Sequence, residues 1–492
     1  MKALYRISTV TAISCLLGIL ANGQSDYRPP QVLQSLGQSV TAPPNSRSIS
    51  CSPFPCELPP TQASEGGSEV TDTPITPDPL NPGHLLLGSV DFNCPQPGIS
   101  GFHISSDGGS TWLRTCMPVI ITQQLVYWPG GEPMVGYDRN GTAYIADGYG
   151  DSEGLGYGLI AFQKSTDGVS WSAPEIALGS PSRYELPLYG SLAIDTNLSS
   201  PYIDSLYVSA VVLNEPYQNK NQVVVSHSND GGASWKAVTV APAQTYPASD
   251  VFTSMAIGKD GTAYLTWQRC PSGPPDADCS DGQAYMAFSR SADGGDTWSP
   301  PTLMTIVNLN NGACHCPISG LPNTDNISVD NYPAIGVDNS DGPYAGTLYV
   351  VAYSWTGTYM RVGVIHSTDG GNTWSKPVPV ASAQYTHDQF FPWLSVSSTG
   401  LVGVSWLDRR NDPANIDYQA FAAISTDGGQ SFQPNVQLTQ KFSNPNNNGY
   451  ADNRWMGDYA GNTWDGPDFI AAWMDSSNGV DMQEVVGGIR LK

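Results

Sequence analysis

One short turn recurs six times along the chain: SSDGGSTW at 105 to 112, STDGVSW at 165 to 171, SNDGGASW at 228 to 235, SADGGDTW at 291 to 298, STDGGNTW at 367 to 374 and STDGGQSF at 425 to 432. Each copy can be understood locally. The Asp carboxylate accepts N–H bonds inside a tight hairpin turn, Gly takes φ > 0 without a Cβ clash, and the closing aromatic packs beneath. A short apolar run precedes the turn, as at 158 to 162, 222 to 225, 284 to 288, 360 to 365 and 418 to 424, and reads as a strand entering it. The six aspartates, Asp107, Asp167, Asp230, Asp293, Asp369 and Asp427, are therefore read as structural staples.

The turns lie 58 to 76 residues apart, and between them sits a second signature: apolar strand, turn with Gly or Asp, apolar strand, as in 134 to 147, 254 to 267 and 393 to 406. Repetition at this period means a propeller or a solenoid of four-stranded units. Seven units are counted, the first from about Thr71 and the last, 457 to 491, without the turn and short of a fourth strand. The fold class is therefore all-β, a β-propeller of seven blades with six as the alternative. The missing strand is expected from the segment before residue 71, which would remove an open edge. Composition agrees: Gly (51), Pro (40), Trp (13) and Tyr (24) are abundant, and charged residues make up 13%.

Residues 1–23 read as a secretory signal peptide, with Lys2 and Arg6 ahead of an apolar stretch from Val10 to Leu20. Residues 24–70 are a Pro/Ser-rich lead-in and 71–492 the propeller. Past the signal lie eight cysteines, for which local pairs are expected: 51 with 56, 94 with 116, 270 with 279, 314 with 316. The formal net charge of −23 excludes general attraction to nucleic acid or anionic membrane. The partner expected is a glycan, met by a monomeric, secreted or periplasmic protein. No cofactor is expected and no metal ligand is assigned, a structural calcium being left open.

In a propeller the starts of the innermost strands and the ends of the next strands share one face. The repeats place there Glu132, Tyr184, Glu185, Asp250, Asp330, Tyr332, His387, Asp388, Gln389, Arg454, Asp458 and Tyr459 from strand starts. Strand ends add Asp147, Asp151, Gln268, Arg269, Trp406, Asp408, Arg409, Arg410, Trp473 and Asp475. So many arginines and aromatics around one mouth point to a ligand site.

The six turns resemble the Asp box of the sialidase superfamily. The stretch HDQFFPWLSVSSTGLVGVSWLDRRNDP followed by GDYAG resembles the secreted BNR-repeat proteins of exo-alpha-sialidase type. The resemblance implies an acidic glycan, of sialic or uronic acid, hydrolysed at the mouth. Arg269, exposed Arg410 and Arg454 would clamp the carboxylate, with Asp388 and Trp406 also binding. Tyr459 would be nucleophile and Asp408 or Asp458 the acid/base. The family's Phe/Tyr-Arg-Ile-Pro motif is absent, its nearest match being Tyr27-Arg28-Pro29-Pro30 in the lead-in. Relatives of this fold also include non-catalytic carbohydrate- or protein-binding propellers and polysaccharide lyases, which are the alternatives.

Overall fold

The structure, a computed structural model, describes Gln38–Thr41 and residues 55 to 491, apart from 96, 123–124, 180–184, 215–219, 246–247, 271–278, 280–281, 311–318, 325–326 and 449–454. The signal segment, Cys51, Cys314, Cys316, Tyr184 and Arg454 lie outside the described residues. Every element described is a strand. Among the described residues no helix is long and apolar enough to cross a membrane.

Seven antiparallel sheets form the blades of a propeller. Blade 1 comprises Ile75–Pro77, Leu85–Asp91, Ser100–Ser105 and Thr111–Cys116, and blade 2 comprises Met134–Tyr137, Ala143–Asp151, Gly158–Ser165 and Glu175–Gly179. Blade 3 is Leu186–Ile194, Leu206–Asn214, Lys220–Ser228 and Lys236–Thr239; blade 4 is Ser249–Ile257, Ala263–Cys270, Gln283–Ser291 and Thr302–Asn308. Blade 5 runs Ala334–Val337, Leu348–Trp355, Met360–Ser367 and Val378–Pro379; blade 6 runs Gln389–Val396, Val402–Asp408, Gln419–Ser425 and Val436–Gln437. Blade 7 takes Gly461–Asp465, Asp468–Asp475 and Gln483–Arg490 from the C-terminal end of the chain and its outer strand, Cys56–Gln62, from the N-terminal lead-in. Gln38–Thr41 adds a further strand outside Thr111–Cys116 of blade 1.

Alternation along the strands puts apolar side chains on both faces of each sheet, so the cores lie between neighbouring blades. Tyr207, Val211 and Val225 of blade 3 meet Leu265 and Trp267 of blade 4, and Leu58, Val486 and Ile470 of blade 7 meet Leu85 and Trp112 of blade 1. The repeated turns lie between third and fourth strands. In the fifth, Asp369 accepts bonds from Thr373 N (2.9 Å) and Thr373 Oγ1 (2.6 Å) and from Ser367 Oγ (2.8 Å), which lowers its pKa to about 2. The closing tryptophans also reach the preceding blade: Trp235 meets Phe162 and Trp374 meets Phe288, each edge-on at 5.4 Å. At Gly371 (φ 88°) a Cβ would run into the Phe288 ring, so the turn requires glycine for space as well as for its dihedral.

Two of the expected disulfides are formed: Cys94–Cys116 joins the turn after the second strand of blade 1 to the end of its fourth, and Cys270–Cys279 joins the end of the second strand of blade 4 to the loop that follows. Cys56 is also disulfide-bonded.

Candidate functional site

At the mouth, where the innermost strands begin, the backbone is bent in blade after blade. Left-handed residues occur there at Asp72 (φ 59°), Gly131 (91°), Tyr189 (55°), Phe252 (61°), Phe391 (46°) and Gly457 (100°). In blades 3, 4 and 6 the ladder to the second strand slips at that point, between Leu188 and Ser191, Val251 and Ser254, and Phe390 and Trp393. Such bulges re-aim side chains, and a bulky residue with φ > 0 is held there only by its surroundings.

The re-aimed rings meet on the propeller axis. Tyr189 of blade 3 packs on Phe252 of blade 4 (centroids 4.9 Å), Phe252 on Tyr332 at the entrance of blade 5 (4.8 Å), and Tyr332 on Tyr459 at the entrance of blade 7 (4.9 Å). Trp393 of blade 6 stacks on Tyr459 at 5.6 Å. Phe252, Tyr332 and Tyr459 are buried, while Tyr189 and Trp393 keep an exposed edge towards solvent.

Acids complete the ring. Asp72 enters from blade 1, Glu132 from blade 2, Asp330 from blade 5 and Asp458 from blade 7. The Asp72 carboxylate accepts from the backbone N–H groups of Asp458 and Tyr459. Asp330 and Asp458 are hydrogen-bonded to each other, with the proton favoured on Asp330 and the charge on Asp458, which also accepts from Trp455 Nε1. Burial pushes Asp458 up to about 6, those two bonds opposing it. Burial first, then the neighbouring acids, drives Glu132 and Asp330 well above the carboxylate range. Glu132 Oε2 accepts from Tyr189 N at 3.0 Å, whereas its buried Oε1 and the buried Tyr332 hydroxyl have no hydrogen-bond partner. Behind them Asp147 accepts from Gly131 N and Glu132 N at 3.1 and 2.9 Å and holds the left-handed bend at Gly131 at the entrance of blade 2. Among the described residues no group of His, Cys, Asp or Glu is arranged to hold a metal ion.

Of the residues selected from sequence as catalytic or binding, this mouth gathers Asp458 and Tyr459. Tyr459 is not poised as a nucleophile: its hydroxyl donates to Pro133 O at 2.6 Å, and burial together with four nearby acids raises it well above the tyrosine range. Arg269 and Arg410 are each committed to an acid of their own blade. Arg269 Nε faces Asp250 Oδ1 at 3.6 Å within blade 4. Arg410, expected to be exposed, is 4% exposed and sandwiched between Tyr385 and Phe421 (4.0 and 4.2 Å to the centroids), bonded to Asp408 at 2.5 Å and to Asn435 at 2.9 Å. Asp408 also accepts from Trp406 Nε1 at 2.7 Å. Asp388 is fully buried between Met360 N, Asn415 Nδ2 and Arg409. Trp406, Asp408, Arg410 and Asp388 thus brace blade 6 against blade 5. Glu132, Asp330 and Tyr332 stand in the mouth as strand starts predicted. Tyr189, Phe252 and Trp393 were not legible, because each reads as an ordinary strand residue until the bulge turns it inward, and Asp72 was not, because its left-handed backbone leaves no mark in the sequence.

Replacing Arg410 by Ala is accordingly expected to destabilise by about 3 to 5 kcal/mol, since it strands a buried carboxylate, while turnover or binding by the folded fraction is unchanged. Chemical denaturation beside ligand titration checks this; a loss of binding at unchanged stability would return Arg410 to the ligand site.

No protein-family model matches the chain. Over 344 residues it is 25% identical to a xyloglucanase of Paenibacillus sp, an alignment covering 66% of this chain. The chain spans only 29% of that relative's length. Among solved structures, the intramolecular trans-sialidase of Ruminococcus gnavus superposes with a TM-score of 0.45 at 14% identity, covering 76% of this chain and 97% of that one. The Hadza microbial sialidase Hz136 gives 0.43 at 14%, covering 94% and 93%.

Proposed function

We propose that the chain is a glycoside hydrolase that works at the propeller mouth, with Glu132 as general acid and Asp458 as the carboxylate acting opposite it. One observation carries the reading: two neighbouring carboxyls are set apart in proton affinity. Glu132 is driven towards its neutral form and keeps an oxygen free, whereas Asp458 is supported as an anion by Asp330 and Trp455. A carboxyl kept protonated can donate to a leaving glycosidic oxygen, and a nearby carboxylate can attack the sugar or activate water. Partly buried Tyr189 and Trp393 offer edges for a sugar ring. Similarity to a xyloglucanase supports a glycan substrate.

The acidic glycan implied by the resemblance to sialidases draws support from Arg454 alone, four residues before Asp458, since Arg269 and Arg410 are committed to Asp250 and Asp408. The mouth carboxyls repel an anion, and a glycan without acidic groups is the better fit. Export from the cytoplasm is supported by the disulfides.

A panel of aryl glucosides, xylosides, glucosaminides, arabinofuranosides, sialosides and uronides tests the reading. Turnover of a non-anionic glycoside is expected. Turnover confined to sialosides or uronides would restore the acidic substrate, and saturable glycan binding without product would make the propeller a binding protein.

A further inference from the structure

A hairpin stands on blade 2 at the mouth. Its strands are Ile120–Ile121 and Val126–Pro129, and the second of them pairs with Ala143–Asp151, the strand that the innermost strand Met134–Tyr137 also uses. Val126–Pro129 thus continues the line of the innermost strand past the left-handed bend at Gly131 and out over the mouth. Its residues alternate between two faces. Tyr127 is buried with Tyr149 in the core between blades 1 and 2, so Trp128 turns the other way.

Trp128 lies directly opposite Gly150, and residues opposite each other in a ladder share a face. Gly148, two positions back, shares it too. A Cβ at Gly148 would stand 3.5 Å from the Glu132 side chain and 3.6 Å from Pro187 O of blade 3, whereas one at Gly150 would meet nothing within 4 Å among the described residues. Trp128 and Glu132 therefore look from one face of blade 2 towards blade 3, two residues apart along the strand, or about 7 Å. Solvent reaches both Trp128 and Gly150, and the glycine sets no side chain against the indole. At the inner end of this face Glu132, 4% exposed, keeps Oε1 unbonded.

We infer that Trp128 is a stacking platform for the sugar on the leaving-group side of the cleaved bond, so that the substrate is a chain of pyranoses with equatorial hydroxyls; this rests on the glycosidase reading above. A general acid that protonates a glycosidic oxygen has a sugar on each side of it. Asp458 comes from blade 7, beyond blade 1, so the sugar it acts on lies towards the axis and the edges of Tyr189 and Trp393. The sugar on the far side of Glu132 then lies over Trp128. An indole takes the C–H face of a pyranose, and an axial hydroxyl on that face would hold the two rings apart. Residues 120 to 129 carry no charged side chain, which suits an uncharged sugar.

Calorimetric titration of the full chain with cellotetraose, xylotetraose and the N-acetylglucosamine tetramer, beside β-linked galactotetraose as the axial control, tests the platform. At least one equatorial tetramer is expected to bind, and more tightly than the galactose chain. Trp128→Ala should weaken it about three- to tenfold. Gly150→Leu provides a second variant: Gly150 is not left-handed and has room for a side chain, so the protein should melt no lower while the new side chain covers the indole and weakens the tetramer to a similar degree. In both variants kcat/KM for the tetramer should fall by that factor relative to kcat/KM for the glycosyl fluoride of the same sugar, whose leaving group has no ring to stack. Failure of every tetramer to bind, preference for the galactose chain, equal binding by parent and both variants, or an unchanged ratio of tetramer to fluoride turnover would each overturn the inference. The two readings fail separately. Tetramer binding that depends on Trp128 without cleavage of any glycoside sinks the hydrolase and keeps the platform, whereas cleavage that neither variant alters does the opposite.

Discussion

A chain shortened to begin at Thr71 is expected to lose cooperative folding and to aggregate, because it lacks the strand that closes the ring. Cys56–Gln62 pairs with the outer edge of Gln483–Arg490, Cys56 opposite Arg490 and Gln62 opposite Val485, with a slip between Leu58 and Thr61. Beyond the strand, Ala63 N donates to Glu484 O and Val70 N to Met482 O, both at 2.9 Å. Thr61 Oγ1 donates to Gly109 O of the first repeated turn at 2.7 Å, so one strand fastens the last blade to the first. Its removal opens a row of backbone groups to edge-to-edge pairing. It also uncovers the core that Leu58 completes with Trp112, Ile470 and Val486. Leu58→Ala alone should cost about 2 to 5 kcal/mol, and full deletion more. Equal melting temperatures for chains beginning at residues 24 and 71 would show that closure does not depend on this strand.

What the sequence could announce divides along the range of the forces involved. The repeated turns were legible because Ser, Asp and Gly make their bonds within five residues, and the blade count followed from counting the repeated units, the last of which has no turn. The open edge of the last unit was legible for the same reason: a strand was missing from a counted pattern. Arg410 was misread because its neutralising contacts are Asp408, two residues away, and Tyr385 and Asn435, each 25 residues away. A charged residue in sequence looks exposed until its partners are known. Phe252 was invisible for another reason. Nothing in its local preferences asks for φ 61°, and only the meeting of seven strands about one axis puts it there. Glu132 and Asp458 were legible as positions, at strand starts, but their proton affinities arise from burial among acids contributed by four different blades.

That division of proton affinity leads to the largest expected effect on activity. Glu132→Gln keeps an oxygen to accept from Tyr189 N and replaces a carboxyl that burial and the neighbouring acids drive towards its neutral form, so it should fold as well as the parent. It should nevertheless lose about 10²- to 10⁴-fold in turnover of glycosides with poor leaving groups. A dinitrophenyl glycoside, which departs without a proton, should lose far less. Asp458→Asn should lose activity on both. The parent's acid limb should fall near pH 6, where Asp458 takes up its proton, and that limb should have no counterpart in the residual activity of Asp458→Asn. Stability gives an independent check of sign. Asp458 binds its proton more tightly folded than unfolded, so the parent gains stability as pH falls from about 6 towards 4 and loses it as pH rises through 6. Asn cannot ionise, and Asp458→Asn should therefore melt higher than the parent at pH 8, with the advantage gone at pH 4. If Glu132→Gln retained full turnover with poor leaving groups, the acid would have to be sought at Asp330, the other mouth carboxyl that holds its proton. A stability advantage for Asp458→Asn that grew towards low pH would mean that Asp458 is not the group titrating near 6, and the base would then have to be placed elsewhere in the ring.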